Sequence, residues 1–232
     1  MKKHIPNFLT LCNVACGFCG LVAALYFVEI KIAALFMVAG LFFDFLDGMV
    51  ARLLKVSGEL GKQLDSLADA ITFGALPGAL VFELLGGGEW ALVAILIPVL
   101  SVLRLAKFNL DTRQSDSFIG LATPSHALFW MGLAGHYHGV EITENLLLWA
   151  GGVLIMSVLL VSNIPMFSFK LKSLNWKGNE VQFLFLGLAA VVACLCIFLW
   201  QIPFLSISII ILLYIIISII NNLFSKTHEV QS

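Results

Sequence analysis

Charge is scarce in this chain of 232 residues: Lys, Arg, Asp and Glu together make up 12% of it, while 60% is hydrophobic. A soluble domain is about a quarter charged and half apolar, so this balance excludes an ordinary soluble protein and points to a membrane one. The chain also lacks any linker, charge block or low-complexity tract long enough to mark a second domain. Its longest polar stretches, 107–118 and 170–180, are short. No internal repeat is visible, which weighs against a transporter built from related halves. The five cysteines come without a histidine at zinc-like spacing. Cys12, Cys16 and Cys19 share one face of the first apolar run with Gly17 and Gly20 nearby, as small, soft residues at a helix seam do. Cys194 and Cys196 fall on different faces and read as packing.

What is present instead is a series of about eight apolar stretches, near 5–28, 32–53, 63–84, 90–110, 122–139, 145–165, 181–200 and 203–224. Each is long enough, or nearly so, for the roughly 20 residues a bilayer crossing requires. The fifth is short and carries His126, His136 and His138, read as interfacial or packing histidines. The first follows Met1-Lys2-Lys3-His4 and imitates a secretory signal, but it is too long for a signal's apolar region and seven more runs follow. Backbone in lipid must satisfy its own hydrogen bonds, so an all-α integral membrane domain is expected. With eight alternating crossings, Lys2, Lys3, Arg52, Lys55, Lys62, Arg104, Lys107, Arg113, Lys170, Lys172, Lys177 and Lys226 fall on one side, and Lys31 alone on the other. Positive residues stay inside, which makes the crowded side cytosolic and puts both termini there. Trp90, Trp130, Trp149, Trp176 and Trp200 fall mostly at the expected interfaces.

The acidic residues are placed unevenly. Asp44 and Asp47 stand at i and i+3 of the second run, Asp65 and Asp69 at i and i+4 of the third. Each pair projects from one face of its helix. The link between the runs is short, with Ser57-Gly58 as a break, so the helices are antiparallel neighbours and the pairs meet. A carboxylate at mid-bilayer costs about 2.5–3.5 kcal/mol on the insertion scale, less near the boundary, and four together repel. Arg52 supplies one positive charge; divalent metal supplies enough. Oxygen-only ligands favour Mg²⁺ or Mn²⁺ over zinc. The alternative for acidic pairs in helices is an ion or proton path. Against it, Gly48, Ala51 and Gly61 share the aspartate faces and leave room for a bulky substrate.

The string D-x2-D-G-x2-A-R-x8-G-x3-D-x3-D runs without a gap through Asp44, Asp47, Gly48, Ala51, Arg52, Gly61, Asp65 and Asp69. It resembles the signature of the CDP-alcohol phosphatidyltransferases, over roughly residues 5–165. The resemblance implies a six-helix core, taken as 1–170, with a C-terminal helix pair, 171–232, in the same domain. It implies two metal ions. Asp44, Asp47 and Asp65 would bind one; Asp44, Asp65 and Asp69 would contact the second. Asp69 would accept the proton of an attacking alcohol, which displaces CMP directly at the β-phosphorus. Asn7, Thr10, Gly48, Ala51, Arg52, Gly61 and Lys62 would line the CDP-lipid pocket, although Asn7 and Thr10 also suit ordinary capping of the first helix.

The stretches Gln63–Asp69, Phe73-Gly74, Arg104–Asn109, Phe118–Pro124 and Ile164–Lys170 resemble the phosphatidylserine synthase branch of that family. After Gly120 this chain reads Leu-Ala-Thr-Pro where Leu-Pro-x-Pro is expected. The resemblance implies CDP-diacylglycerol and L-serine as substrates. Serine needs a cation for its carboxylate, and Arg104, Lys107 and Asn109 are the candidates; anchoring at lipid headgroups is the alternative for the two cations. Asp111 and Arg113 read as loop surface, and Ser125 as a further pocket residue. Glycerol 3-phosphate or an inositol phosphate as acceptor would need a denser cationic pocket. The expected setting is the plasma or inner membrane, multi-pass, with the site facing the cytosol. A homodimer and no nucleic-acid partner are expected, the dimer from the family resemblance alone. The last two helices are expected to serve packing or dimer contact.

Overall fold

The structure, a computed structural model, describes residues 4–56, 58–110, 118–140, 145–167 and 179–229. Lys2, Lys3, Ser57, Asp111, Arg113, Lys170, Lys172, Trp176, Lys177 and the side chain of Lys226 lie outside this description, as does the 170/171 boundary.

Eight helical rods follow one another: α1 (His4–Leu25), α2 (Ile30–Leu54), α3 (Glu59–Leu84), α4 (Glu89–Leu110), α5 (Thr123–Tyr137), α6 (Leu146–Val161), α7 (Glu180–Leu199) and α8 (Pro203–Glu229). Six of them are long and apolar enough to cross a bilayer; α5 and α6 are not. At 15 and 16 residues these two rise about 22–24 Å, short of the ~30 Å hydrocarbon core. The eight expected crossings are thus six by length. The protein is a multi-pass membrane protein, and among the described residues it is helical apart from one two-residue ladder. In that ladder β1 (Phe118–Ile119) pairs antiparallel with β2 (Pro165–Met166).

Local chemistry explains the ends and the irregular turns. α2 stops at Lys55, which takes a left-handed conformation (φ 52°); the Val56 amide returns to the Ala51 carbonyl, closing the open helix end. α3 begins after extended Gly58. It is α-helical to Asp69, widens into a π-helical turn over Ala70–Ala75, and resumes at Leu76–Leu84. Pro77 has no N–H to return to Phe73, so the wide turn lies where the α ladder is already interrupted. α5 carries Pro124 in its first turn, where a missing N–H costs nothing.

Small residues set the close packing. A Cβ on Gly17 or Gly40 would collide with Thr72, and one on Gly20 with Leu76. α1, α2 and the wide turn of α3 thus meet almost backbone to backbone. Cys16 lies at this α1–α2 seam, its Cβ 3.6 Å from where a Gly40 Cβ would stand; Cys19 is exposed, and all five cysteines are free thiols. Gly132 and Gly135 of α5 admit Phe204 and Ser208 of α8, and the Ser208 hydroxyl donates to the Phe129 carbonyl at 2.7 Å. Trp130 departs from the aromatic belt. It is buried, and its indole N–H donates to Nε2 of buried His126 at 3.1 Å, so this histidine is a packing residue. Trp90 and Trp200 are exposed.

Candidate active site

The start of α1, the end of α2, the start of α3 and the end of α4 gather at one end of the bundle, and there the acidic residues converge. Asp44 and Asp47 come from α2, Asp65 and Asp69 from α3. One carboxylate oxygen each from Asp44, Asp47 and Asp65 lies within 4.8 Å of the others. Oxygens around one six-coordinate ion at ~2.1 Å stand about 3–4.2 Å apart, so a small inward shift suffices to hold a divalent cation. Asp69 stands one turn deeper, outside this triad but in contact with Asp44. It is buried, and its Oδ1 has no hydrogen-bond partner among the described residues. An orphaned buried carboxylate oxygen is costly unless a ligand completes it, which fits a site built for a further group.

The triad opens into a cavity of about 520 Å³. Asn7 and Thr10 of α1 form one wall and Gly48, Ala51 and Arg52 of α2 another. Gly61 and Lys62 of α3 close it. A Cβ at Gly48 would meet nothing within 4 Å, and one at Gly61 would meet only Asn7 Oδ1, at 3.5 Å. Both glycines therefore keep volume open beside the carboxylates. The Thr10 hydroxyl lies 2.5 Å from Asp47 Oδ2 and 3.1 Å from the Pro6 carbonyl. Arg52 donates from Nε to the Gly48 carbonyl at 3.0 Å. A second cavity of about 600 Å³, bordered by Val28, Glu83, Trp90 and Tyr137, lies at the other end of the bundle and holds none of these carboxylates.

On the far side of Asp69 stands Arg104, buried (8% exposed) and interacting with it electrostatically. Its Nη1 donates to Thr123 Oγ1 at 3.0 Å, its guanidinium lies 5.4 Å from the Phe108 ring centroid, and its Nε has no partner among the described residues. A headgroup anchor would snorkel outward; this arginine is held inside with donor capacity unused. Lys107 is exposed and is not brought to the cavity. Asn109 is half-buried: its Nδ2 donates to Ser66 Oγ at 2.7 Å, and its carbonyl accepts from Lys62 Nζ at 2.7 Å. It ties α4 to α3 beside the triad. Three neighbours escaped the sequence reading: Ser66, Thr123 and Tyr214, the last a buried α8 residue that interacts electrostatically with Arg104. Thr123 occupies the position that Leu-Pro-x-Pro leaves open; the departure itself falls on Ala122, so no local signal pointed to Thr123.

A helical membrane core with converging carboxylates and an adjoining polar cavity is also what comparison with known proteins returns. The profile of the CDP-alcohol phosphatidyltransferases matches residues 3–160, and the chain belongs to that family. Among its relatives is a CDP-diacylglycerol–serine O-phosphatidyltransferase of Bacillus subtilis (strain 168), 34% identical over 175 residues, covering 72% of this chain and 92% of that protein. Proteins of the same name from two strains of Helicobacter pylori are 34% identical over 195 residues (80% and 81% covered) and 33% identical over 228 residues (94% and 91% covered).

Proposed function

We propose that this enzyme transfers the phosphatidyl group of CDP-diacylglycerol to the hydroxyl of L-serine, giving phosphatidylserine and CMP. The observation that carries this is the Asp44–Asp47–Asp65 triad opening into the cavity, with Arg104 buried behind Asp69 and its Nε unused. The cytidine diphosphate occupies the cavity between α1, α2 and the start of α3, where Gly48 and Gly61 let it approach the backbone. Asp44, Asp47 and Asp65 would hold Mg²⁺ or Mn²⁺, and Asp69 would contribute to a second ion. Bound there, divalent metal would neutralise the diphosphate and stabilise the departing CMP.

Arg104 holds the serine carboxylate through its free donor edge, with Asn109 positioning the neighbouring wall. Asp69 takes the proton from the serine hydroxyl as its oxygen attacks the β-phosphorus. The new P–O bond forms as the bond to CMP breaks, and no covalent enzyme intermediate intervenes. The orphaned Asp69 Oδ1 and the electrostatic contact with Arg104 support this pairing of base and acceptor anchor. Lys107, exposed at the helix end, is left for lipid headgroups. A phosphorylated acceptor is disfavoured because Arg104 is a single buried cation.

Arg52, Lys55, Lys62, Arg104 and Lys107 all belong to the carboxylate end, and Lys31 to the other. That asymmetry supports a cytosolic site in the plasma or inner membrane, with both termini inside. Residues 1–170 form the core and 171–232 a helix pair of the same domain, and the protein works as a homodimer. The test is incorporation of radiolabelled L-serine into lipid by purified protein, beside glycerol 3-phosphate and an inositol phosphate. Incorporation that needs CDP-diacylglycerol supports the assignment; incorporation of a phosphorylated acceptor alone overturns it.

A further inference from the structure

The helix pair after residue 179 lies beyond the stretch that the family profile matches, yet α8 reaches the acceptor side of the site. Tyr214 is 3% exposed in a run otherwise made of Ile and Leu. Phenylalanine would pack as well there. A buried phenol hydroxyl is costly unless it is bonded, and this one donates to the Phe167 carbonyl at 3.1 Å. The Tyr214 ring packs against Phe167 and Phe185, with centroids 4.9 and 6.0 Å away.

Phe167 directly follows β2, which pairs with β1 in the register Phe118↔Met166 and Ile119↔Pro165. The Gly120 amide bonds the Ile164 carbonyl and the Leu121 amide bonds the Leu159 carbonyl, both at 2.9 Å. This ladder delivers the chain to Thr123 at the start of α5, whose hydroxyl accepts from Arg104. A bonded route therefore runs from one α8 side chain to one guanidinium, from the Tyr214 hydroxyl through Phe167 and the ladder to Thr123. Two of the five stretches that resemble one branch of the family, 118–124 and 164–170, contain the two strands of that ladder.

We propose that Tyr214 is a positioning residue for the acceptor subsite, holding the 118–123/164–167 ladder and the Arg104 guanidinium where the acceptor carboxylate binds. This rests on the assignment of Arg104 to that carboxylate. The C-terminal helices are then part of the active site rather than packing alone.

The test is kinetics of Tyr214→Phe, Arg104→Ala and Ser218→Ala in the full-length protein, with L-serine and L-serinamide as competing acceptors. Serinamide lacks the carboxylate, and the serine-to-serinamide preference does not depend on how much protein is folded. Tyr214→Phe should raise the serine KM about fivefold, the scale of one lost hydrogen bond, and lower the preference by a similar factor. The KM for CDP-diacylglycerol should stay within about twofold. Ser218→Ala, which removes a hydroxyl that bonds the Tyr214 carbonyl and borders its phenol, should lower the preference less than Tyr214→Phe. An unchanged preference in Tyr214→Phe overturns the proposal. If Arg104→Ala lowers the preference and Tyr214→Phe does not, only the tyrosine's role fails. If Arg104→Ala leaves the preference intact, the carboxylate assignment fails and the positioning role with it.

Discussion

The hydroxyl of Thr10 on α1 meets Oδ2 of Asp47 on α2 at 2.5 Å, across 37 positions of sequence. The same hydroxyl lies 3.1 Å from the Pro6 carbonyl in its own helix. One proton serves one acceptor at a time, and a carboxylate is the stronger acceptor. Thr10 thereby fixes the orientation of one member of the carboxylate triad proposed to hold the metal. Thr10→Val should raise the Mn²⁺ concentration for half-maximal CMP release about tenfold, the usual scale for losing a residue that orients a metal ligand. Thr10→Ser should stay close to the parent. A metal titration in detergent reads both, and an unchanged requirement in Thr10→Val would detach Thr10 from the metal site.

Asp69 stands apart from the triad with one oxygen orphaned. Asp69→Asn should cut turnover by about a hundredfold or more, the lower range for a general base, while CDP-diacylglycerol binding persists. Equilibrium binding beside initial rates separates the two. Normal turnover would remove Asp69 from the base role.

Two glycines should behave oppositely. A Cβ at Gly48 faces open cavity, whereas one at Gly120 would lie 2.5 Å from the Leu160 carbonyl, on backbone with φ +77°. Gly48→Val should leave thermal unfolding unchanged and raise the KM for CDP-diacylglycerol. Gly120→Ala should lower the unfolding temperature, by strain of about 1–3 kcal/mol. Melting curves with lipid-substrate kinetics check both; a cold-melting Gly48→Val would mean that residue packs rather than clears space.

Arg104 and Lys107 are one helical turn apart and differ in burial. Arg104→Ala should raise the serine KM more than about tenfold, as expected for a lost charge-assisted bond. Lys107→Ala should change it little. Arg104→Ala weak in both substrates would move that side chain to the nucleotide pocket.

The aspartates were legible because helical spacing alone aims Asp44 with Asp47 and Asp65 with Asp69, and the short link makes the two helices neighbours. Gly48, Ala51 and Gly61 followed from the same periodicity. The fifth stretch already read as short; the shortness of α6 was harder to read, since Ile164, Met166 and Phe167 follow its end. The wide turn after Asp69 carries only Pro77 as a local cue. The contacts Thr10–Asp47, Arg104–Thr123 and Tyr214–Phe167 join helices remote in sequence, so no periodicity could supply them. The departure from Leu-Pro-x-Pro falls on Ala122, and nothing local marked its neighbour Thr123. A lone tyrosine in the Ile-rich last helix was a visible anomaly, and reading that helix as packing passed over it.

The most direct measurement is CMP release by purified protein in detergent from CDP-diacylglycerol, with and without L-serine, in Mn²⁺ or Mg²⁺ and then in chelator. Release that requires both serine and metal, and that Asp44→Asn or Asp65→Asn abolishes, is the predicted result. Release in chelator at the full rate, or no release with serine from protein shown to be folded, would contradict the account.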